Sequence, residues 1–421
     1  MSKTLEKPMA DGPAKRTPHP AVFMVLVTPF GVMSGFLTVT IGWLLAKHGL
    51  SVEQIAVLMA ASYIPHVWKF LWAPIADITL NRTQWYLISA VASALGLYAM
   101  GAIPPTVANL PLLTTVVVAA NVAAALMGMT VQSLMVALCD ESQQGRAGGW
   151  FQAGNLGGGG IGGGLGLWIA QHTAYDWLPG AALAVGCLLC AIPVFFLREP
   201  AADGPRKALH HELAHVGRNL WELARSKGGF LALALCFAPI GSGAASNLWS
   251  AVAGDWRASA GTVALVTGVL GGLVMAVGCV VGGWICDRMD RKTAYILFGL
   301  MQAACAAAMG FLPHSEPNYV IFTLLYAFIT GFTYAGFTAF VLEIMGVGAA
   351  ATKFSLFASL SNFPIQWVTS IDGWAYKKHG PAGMLYVEAL VGVAGMIVFM
   401  LGVMNLAKLI WREREGTPKA A

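Results

Sequence analysis

The chain has 421 residues, of which 57% are hydrophobic and 11% charged, with a mean hydropathy of +0.67. Soluble domains carry roughly 25% charge and 45–50% apolar residues, so this composition excludes a soluble enzyme or a nucleic-acid module and describes a membrane chain. The net charge of +5 lies in short polar intervals between apolar runs, so it marks orientation in a bilayer rather than a nucleic-acid surface.

Crossing a hydrocarbon core about 30 Å thick takes roughly 20 apolar residues as a helix. Runs of this kind occupy residues 20–46, 53–76, 85–102, 112–138, 148–171, 177–197, 229–253, 260–285, 293–312, 318–342, 354–374 and 382–407. The pattern predicts an all-α membrane protein with twelve transmembrane helices. The first run is too long for the apolar segment of a signal peptide and lacks a small-residue cleavage site, so it counts as a span.

The second run carries Tyr63, His66 and Lys69. Lys69 is the one Lys or Arg inside a span and lies eight residues before Asp77, about 12 Å along a helix. An ionisable group at that depth is a candidate for function, with His66 one turn earlier on the same face. The plain alternative is that Lys69 snorkels to the surface or pairs with Asp140 or Glu141.

The fifth run contains "GNLGGGGIGGGLG" at 154–166, nine glycines in thirteen positions. Gly158, Gly160 and Gly163 spell G-x-G-x-x-G, but no strand precedes them, so a phosphate loop is excluded. Gly154, Gly158, Gly162 and Gly166 instead form a bare stripe at every fourth position, which lets two helix backbones approach closely in lipid. The eighth run offers Gly268 and Gly272, then Gly278 and Gly282, and is the expected partner. Packing of the stripe within its own half is the alternative.

The longest polar interval, 198–228, divides the runs six and six, and each half carries a charged turn after its second run: "APIADITLNR" (73–82) and "GGWICDRMDRK" (282–292). The chain therefore reads as a tail (1–19), a six-helix bundle (20–197), a linker (198–228), a second six-helix bundle (229–407) and a tail (408–421). About twenty Lys and Arg fall on the side shared by both termini and about four (Lys47, Arg257, Lys377, Lys378) on the other, which predicts cytoplasmic termini in a cell inner membrane.

The second turn resembles the loop signature G-x-x-x-D-R-x-G-R-K of the major facilitator superfamily: Gly283, Asp287, Arg288, Arg291 and Lys292 match, and Asp290 replaces the usual glycine. The first copy keeps Asp77 and Arg82 but has Ala73 and Ile78 where the family has glycine and arginine. Within the superfamily, "KFLWAPIAD" (69–77) is similar to the second-span motif of AmpG-like muropeptide permeases and acetyl-CoA transporter-like proteins.

The resemblance implies a secondary active transporter working by alternating access, coupled to protons, acting as a monomer on a small organic and possibly anionic solute (muropeptide-like, siderophore-like or peptide-like), with no cofactor. It implies gating at Asp77 with Arg82 and at Asp287 with Arg288 and Arg291. Asp77 would meet a helix start near Thr352 to Ser355, and Asp287 another near Arg146 to Trp150, where the partial positive charge of a helix N-terminus favours a carboxylate. It places Asn121, Asn247, Asn362 and Gln366 beside the substrate path with Tyr63, His66 and Lys69. Trp249 and Tyr334 would stack on a ring or simply pack. Glu388 and Glu343 are read as the acids nearest to, or within, the spans of the second half; Glu388 has a weak claim to coupling, and Glu343 is assigned to the Lys353 turn. Pro65, Pro74, Pro239 and Pro364 are expected to kink their helices.

The linker contains His211-Glu212-Leu213-Ala214-His215, an H-E-x-x-H pattern that on a helix sets two imidazoles on one face with a glutamate to activate zinc-bound water. A membrane-bound zinc metalloprotease is therefore the rival reading. Its third ligand is missing from the spacing, and the motif lies in a basic linker rather than in a span, so the chain is read as a carrier and not as an enzyme. No Walker A motif is present, so ATP is not its direct energy source.

Overall fold

The computed structural model describes residues 18–71, 79–139, 141–197, 236–345 and 356–415, together with Ala214, Gly217, Arg218, Trp221 and Arg225. The described chain is built of helices that cross back and forth. In chain order they are α1 (Ala21–Lys47), α2 (52–71), α3 (Arg82–Ala102), α4 (Leu110–Leu138), α5 (141–172), α6 (Leu178–Phe196), α7 (236–256), α8 (Ala260–Cys286), α9 (Arg291–Phe311), α10 (Glu316–Met345), α11 (356–379) and α12 (381–415). Residues 356–402 form one apolar stretch in which Gly380, at φ 69° and followed by Pro381, turns the chain from α11 into α12. We call the side from which α1 starts the near face and the side to which it runs the far face.

Among the described residues, eight stretches are long and apolar enough to cross a membrane, and α2, α5 and α7 are not among them. Each of the three departs from a plain apolar helix for a local reason. In α2 the helix breaks at Tyr63 and again at Trp68, because Pro65 lacks the N–H that would continue the ladder. In α5 the glycines dilute the apolar content. The expected continuous helix at 229–253 is corrected from Cys236 onward. After Pro239, Gly241 and Gly243 adopt left-handed backbone (φ 57° and 72°), and α7 proceeds as short 3-10 and α pieces. Gly241 could not be replaced without strain, since a Cβ there would stand 2.4 Å from Thr333 Cγ2. Pro364 falls in the first turn of the segment restarting at Asn362. Pro74 lies outside the described residues.

The glycine run of α5 lies between two neighbours. Cβ atoms at Gly154, Gly158 and Gly162 would stand 2.2, 2.2 and 2.1 Å from the carbonyl oxygens of Met24, Thr28 and Val32 on α1. Gly31 and Gly35 of α1 answer in kind, against Asn155 and Gly159. The every-fourth stripe expected to meet the eighth span therefore packs on α1, inside its own half. A second stripe, offset on the helix, meets α8: a Cβ on Gly268 would come 2.6 Å from Gly164 N, and one on Gly272 would come 3.3 Å from Leu156 O. Gly278 and Gly282 face α10 instead, at Phe328 and Phe332. One helix squeezed from both sides explains why nearly every side chain in the run is absent. Thr40 of α1 donates to the carbonyls of Gly162 and Gly163 at 3.0 and 3.2 Å, where a π-helical stretch, Ile161–Leu165, loosens the ladder.

The apolar core is shared differently at the two faces. Toward the far face one cluster runs through both halves, uniting Val39, Leu45, Ile55 and Met59 with Ala245, Leu248, Trp249 and Trp256. Toward the near face, among the described residues, the buried packing falls into a cluster of the first half (Phe23, Leu26, Tyr86, Leu134, Phe151) and clusters of the second (Cys236, Tyr295, Phe340, Phe357; Cys286, Phe298, Phe332), with Phe70 of α2 reaching across to the Cys236 cluster. The halves are thus joined at the far face.

Candidate functional site

The break in α2 presents Tyr63, His66 and Lys69 to the seam between the halves. His66 Nε2 lies 3.1 Å from Asn121 Oδ1 on α4. Asn121 spends its amide N–H on the Val117 carbonyl at 2.9 Å, so its oxygen is the acceptor and His66 donates from Nε2. Phe30 of α1 closes the other side of the imidazole, edge-on at 5.6 Å between ring centres. Lys69 follows His66 by three residues on the same segment and is half-buried.

Tyr63 leaves the first half altogether. Its hydroxyl donates to Asn247 Oδ1 on α7 at 3.0 Å, and Asn247 Nδ2 donates to Thr369 Oγ1 on α11 at 3.0 Å. Asn247 is buried, so in lipid its amide depends on these two partners. Tyr334 of α10 reaches the same place, close enough to act on the Tyr63 hydroxyl. Tyr334 keeps 49% of its surface accessible although protein surrounds it, as befits a side chain on an internal wall. The result is a polar lining drawn from both halves, with one ammonium and neutral donors and acceptors.

Of the other residues expected here, Asn362 turns back on its own helix, donating to the Ala358 and Ser359 carbonyls at 2.9 and 3.1 Å. Gln366 is half-buried on α11. Trp249 is packed: it is buried, meets Tyr326 edge-on at 5.3 Å, and its carbonyl accepts from the Tyr319 hydroxyl.

The expected gate residues fare unevenly. Asp77 and Thr352 to Ser355 lie outside the described residues, as do the side chain of Arg146 and the His211-Glu212 pair with His215. Arg82 opens α3. Arg288 lies over the Trp284 ring at 3.9 Å and donates to the Trp284 carbonyl, and Arg291 donates to the Ala339 carbonyl of α10. Asp287 caps the end of α8. Asp290, the residue that departs from the loop signature, caps α9 by accepting from the Thr293 N–H at 2.9 Å, which holds its carboxyl below the usual range. That contact explains why glycine is dispensable there.

Two features escaped the sequence reading. At the far face Lys377 of α11 pairs with Glu53 of α2 at 2.6 Å, and Gly373 sits against Ala56 and Glu53 so closely that a Cβ would clash at 2.2 Å. This ion pair crosses between the halves. The second is Asp372, fully buried on α11 and in direct contact with Glu388 of α12. It lies inside the apolar run 354–374, so the rule that singled out Lys69 would have found it.

Comparison with known proteins agrees with this architecture. The chain is 23% identical to the anhydromuropeptide permease of Escherichia coli (strain K12), over 91% of this chain and 79% of that protein. Among solved structures it is similar to the nucleoside transporter NupG (TM-score 0.68, 12% identity, 91% of this chain and 98% of that one). It is also similar to the E. coli xylose transporter XylE in a partially occluded inward open conformation (0.67, 14%, 90% and 96%). A POT family transporter in complex with a thioalcohol conjugated peptide aligns at 0.68, with 13% identity over 92% and 96%. With residues 22–365 matching that family, the chain belongs to the Major Facilitator Superfamily, as a multi-pass membrane transporter rather than an enzyme.

Proposed function

We propose that the chain is a secondary carrier for an anionic amphiphile of the sugar–peptide kind, driven by a proton gradient across a cell inner membrane, with both termini cytoplasmic. The observation that carries this reading is the α2 lining: Lys69 beside His66 and Tyr63, facing amide and hydroxyl groups from α4, α7 and α11. A single ammonium among neutral partners selects a negatively charged group. Hydroxyls and amides on the opposite half suit the sugar and peptide bonds of such a solute. The relative named anhydromuropeptide permease supports the class.

Alternating access follows from the uneven core. A far-face cluster continuous through both halves supports a carrier closed toward that side, and opening the far face must part Glu53 from Lys377 and Gly373 from Ala56. The excess of Lys and Arg on the near side supports its being cytoplasmic.

Uptake of a labelled anhydromuropeptide into proteoliposomes, with and without an inwardly directed proton gradient, tests the proposal. Accumulation that requires the gradient and is competed by anionic but not by neutral analogues is the expected result. Equal uptake of neutral analogues would overturn the assignment of Lys69, and accumulation indifferent to pH would overturn the coupling.

A further inference from the structure

Resting on the reading of the chain as a carrier, we propose that Asp372 and Glu388 form its proton-binding site, sharing one proton between two carboxyls inside the second half. Asp372 is 0% and Glu388 6% exposed. Their side chains meet each other. Glu388 Oε1 accepts from the Tyr326 hydroxyl at 2.5 Å, and the Ala245 amide faces Glu388. No donor reaches either oxygen of Asp372 or the Oε2 of Glu388. Two carboxyls in contact with no donor between them form a hydrogen bond only when one of them carries a proton, and two bare carboxylates side by side in a lipid-embedded bundle would repel at low dielectric.

Among the described residues, the charged and titratable surroundings contain no counter-ion. From α10 the facing group is Tyr326; from α9 it is the neutral Gln302; from α7, Ala245 and Gly241; from α11, Thr369, one turn before Asp372. Glu53 of α2, which lies against Gly373, is turned to Lys377. One shared proton therefore lowers the charge of the pair from two negative charges to one, which no described cation does in its place.

A place for a proton acceptor lies beside the pair. Gln302, 2% exposed, donates to Thr330 Oγ1 at 3.0 Å but leaves its carbonyl oxygen without a partner. Gln302 and Glu388 line one small pocket with Pro239, Gly241, Ser242 and Gly392. Two unpartnered acceptors around a pocket suit a water, which needs two or more polar partners to be held. On release, the O–H bond of the protonated carboxyl breaks, that water takes the proton as hydronium, and the bonding electrons stay with the carboxylate. Binding is the reverse.

The pair is tied to the solute lining through α11, which carries Asp372, and through α7, which packs against Glu388. Thr369, which accepts from Asn247, is one turn before Asp372 on α11, and Ala245, which faces Glu388, is two residues before Asn247 on α7. A rearrangement that separates Asn247 from Tyr63 moves the backbone around the carboxyls, which couples the two sites mechanically.

Infrared difference spectra of the purified full-length protein provide the test that needs no solute. A protonated-carboxyl stretch, shifted in deuterium oxide, should be present in the wild type and absent in both Asp372→Asn and Glu388→Gln, and should move in Tyr326→Phe, with melting temperature reporting that each variant folds. In proteoliposomes loaded for anhydromuropeptide uptake, the ratio of gradient-driven accumulation to counterflow should fall by about tenfold or more in Glu388→Gln. Absence of the band, its survival in both carboxyl variants, an unchanged ratio, or accumulation driven by a sodium rather than a proton gradient would overturn the site. If no preparation moves the solute at all, the carrier assignment for that solute fails while the spectrum still decides the proton site.

Discussion

The lining on α2 and the carboxyl pair between α11 and α12 are both polar groups in a membrane bundle, and they are built in opposite ways. The lining is cationic and drawn from both halves, with Tyr63, His66 and Lys69 half-buried, so its cross-seam hydrogen bond from Tyr63 to Asn247 must break when the halves part. The pair is sealed inside one half, acidic, and short of donors. A group that must meet a solute has to sit where the protein opens. A group that must hold a proton against the bulk needs to be hidden, because only a low dielectric makes two adjoining carboxyls retain it.

This contrast is open to breaking. The largest effect should come from Lys69→Ala, which removes the one ammonium of the lining: uptake of an anionic solute should fall by about tenfold or more, while surface labelling shows normal insertion. Normal uptake would remove Lys69 from the site and leave the lining without charge. Asn247→Ala comes next. It strands the Tyr63 hydroxyl and Thr369 across the seam, at a cost of about 1–3 kcal/mol in the conformation described here, so the melting temperature should drop and the distance between the halves, read by spin labels, should shift toward the far-face-open state. A melting curve and distance distribution like those of the wild type would show that these bonds do not hold the seam.

Asp290→Ala is a control outside both regions. It removes the cap of α9 and should cost about 1 kcal/mol. Because the folded carboxyl titrates below its unfolded counterpart, the Asp290 contribution is fully present above the unfolded value and is lost as pH falls through the folded one. The difference in melting temperature between the two proteins should therefore shrink in acid, and a constant difference would refute the capping role. The smallest effect belongs to Glu53→Gln. The ion pair is partly exposed, and such pairs are worth about 0.2–1 kcal/mol. A shift of up to about fivefold in the far-face equilibrium, fading at high salt, is expected. A larger, salt-independent change would mean that the seam depends on this pair more than on Gly373 and Ala56.

How much of this could be read beforehand differs by kind of residue. Lys69 and His66 announced themselves because a charge or an imidazole in an apolar run is costly and so informative. Tyr63, Asn121 and Asn247 followed from the family's usual lining. Asp372 carried the same signal as Lys69 and lay near a span end, where an acid reads as a surface residue. The α5 glycines showed close packing but not its direction, since adjacent stripes on one bare helix look alike in sequence. The gating aspartates remain expectations, Asp77 because it lies outside the described residues and Asp287 because its expected partner Arg146 does so through its side chain.

The amino-acid sequence by itself determined that the chain is a bundle of membrane helices in two comparable halves, because burying backbone in hydrocarbon leaves helices as the solution for apolar runs of this length. It also determined which positions are too polar or too bare to be ordinary. Only the tertiary structure decided which of these positions meet: that α5 packs on α1 with one stripe and on α8 with another, that α7 breaks to bring Asn247 between Tyr63 and Thr369, and that Asp372 finds Glu388. Such pairings depend on how helices rotate and cross, and that is set by packing among residues distant in the chain, which no local pattern records.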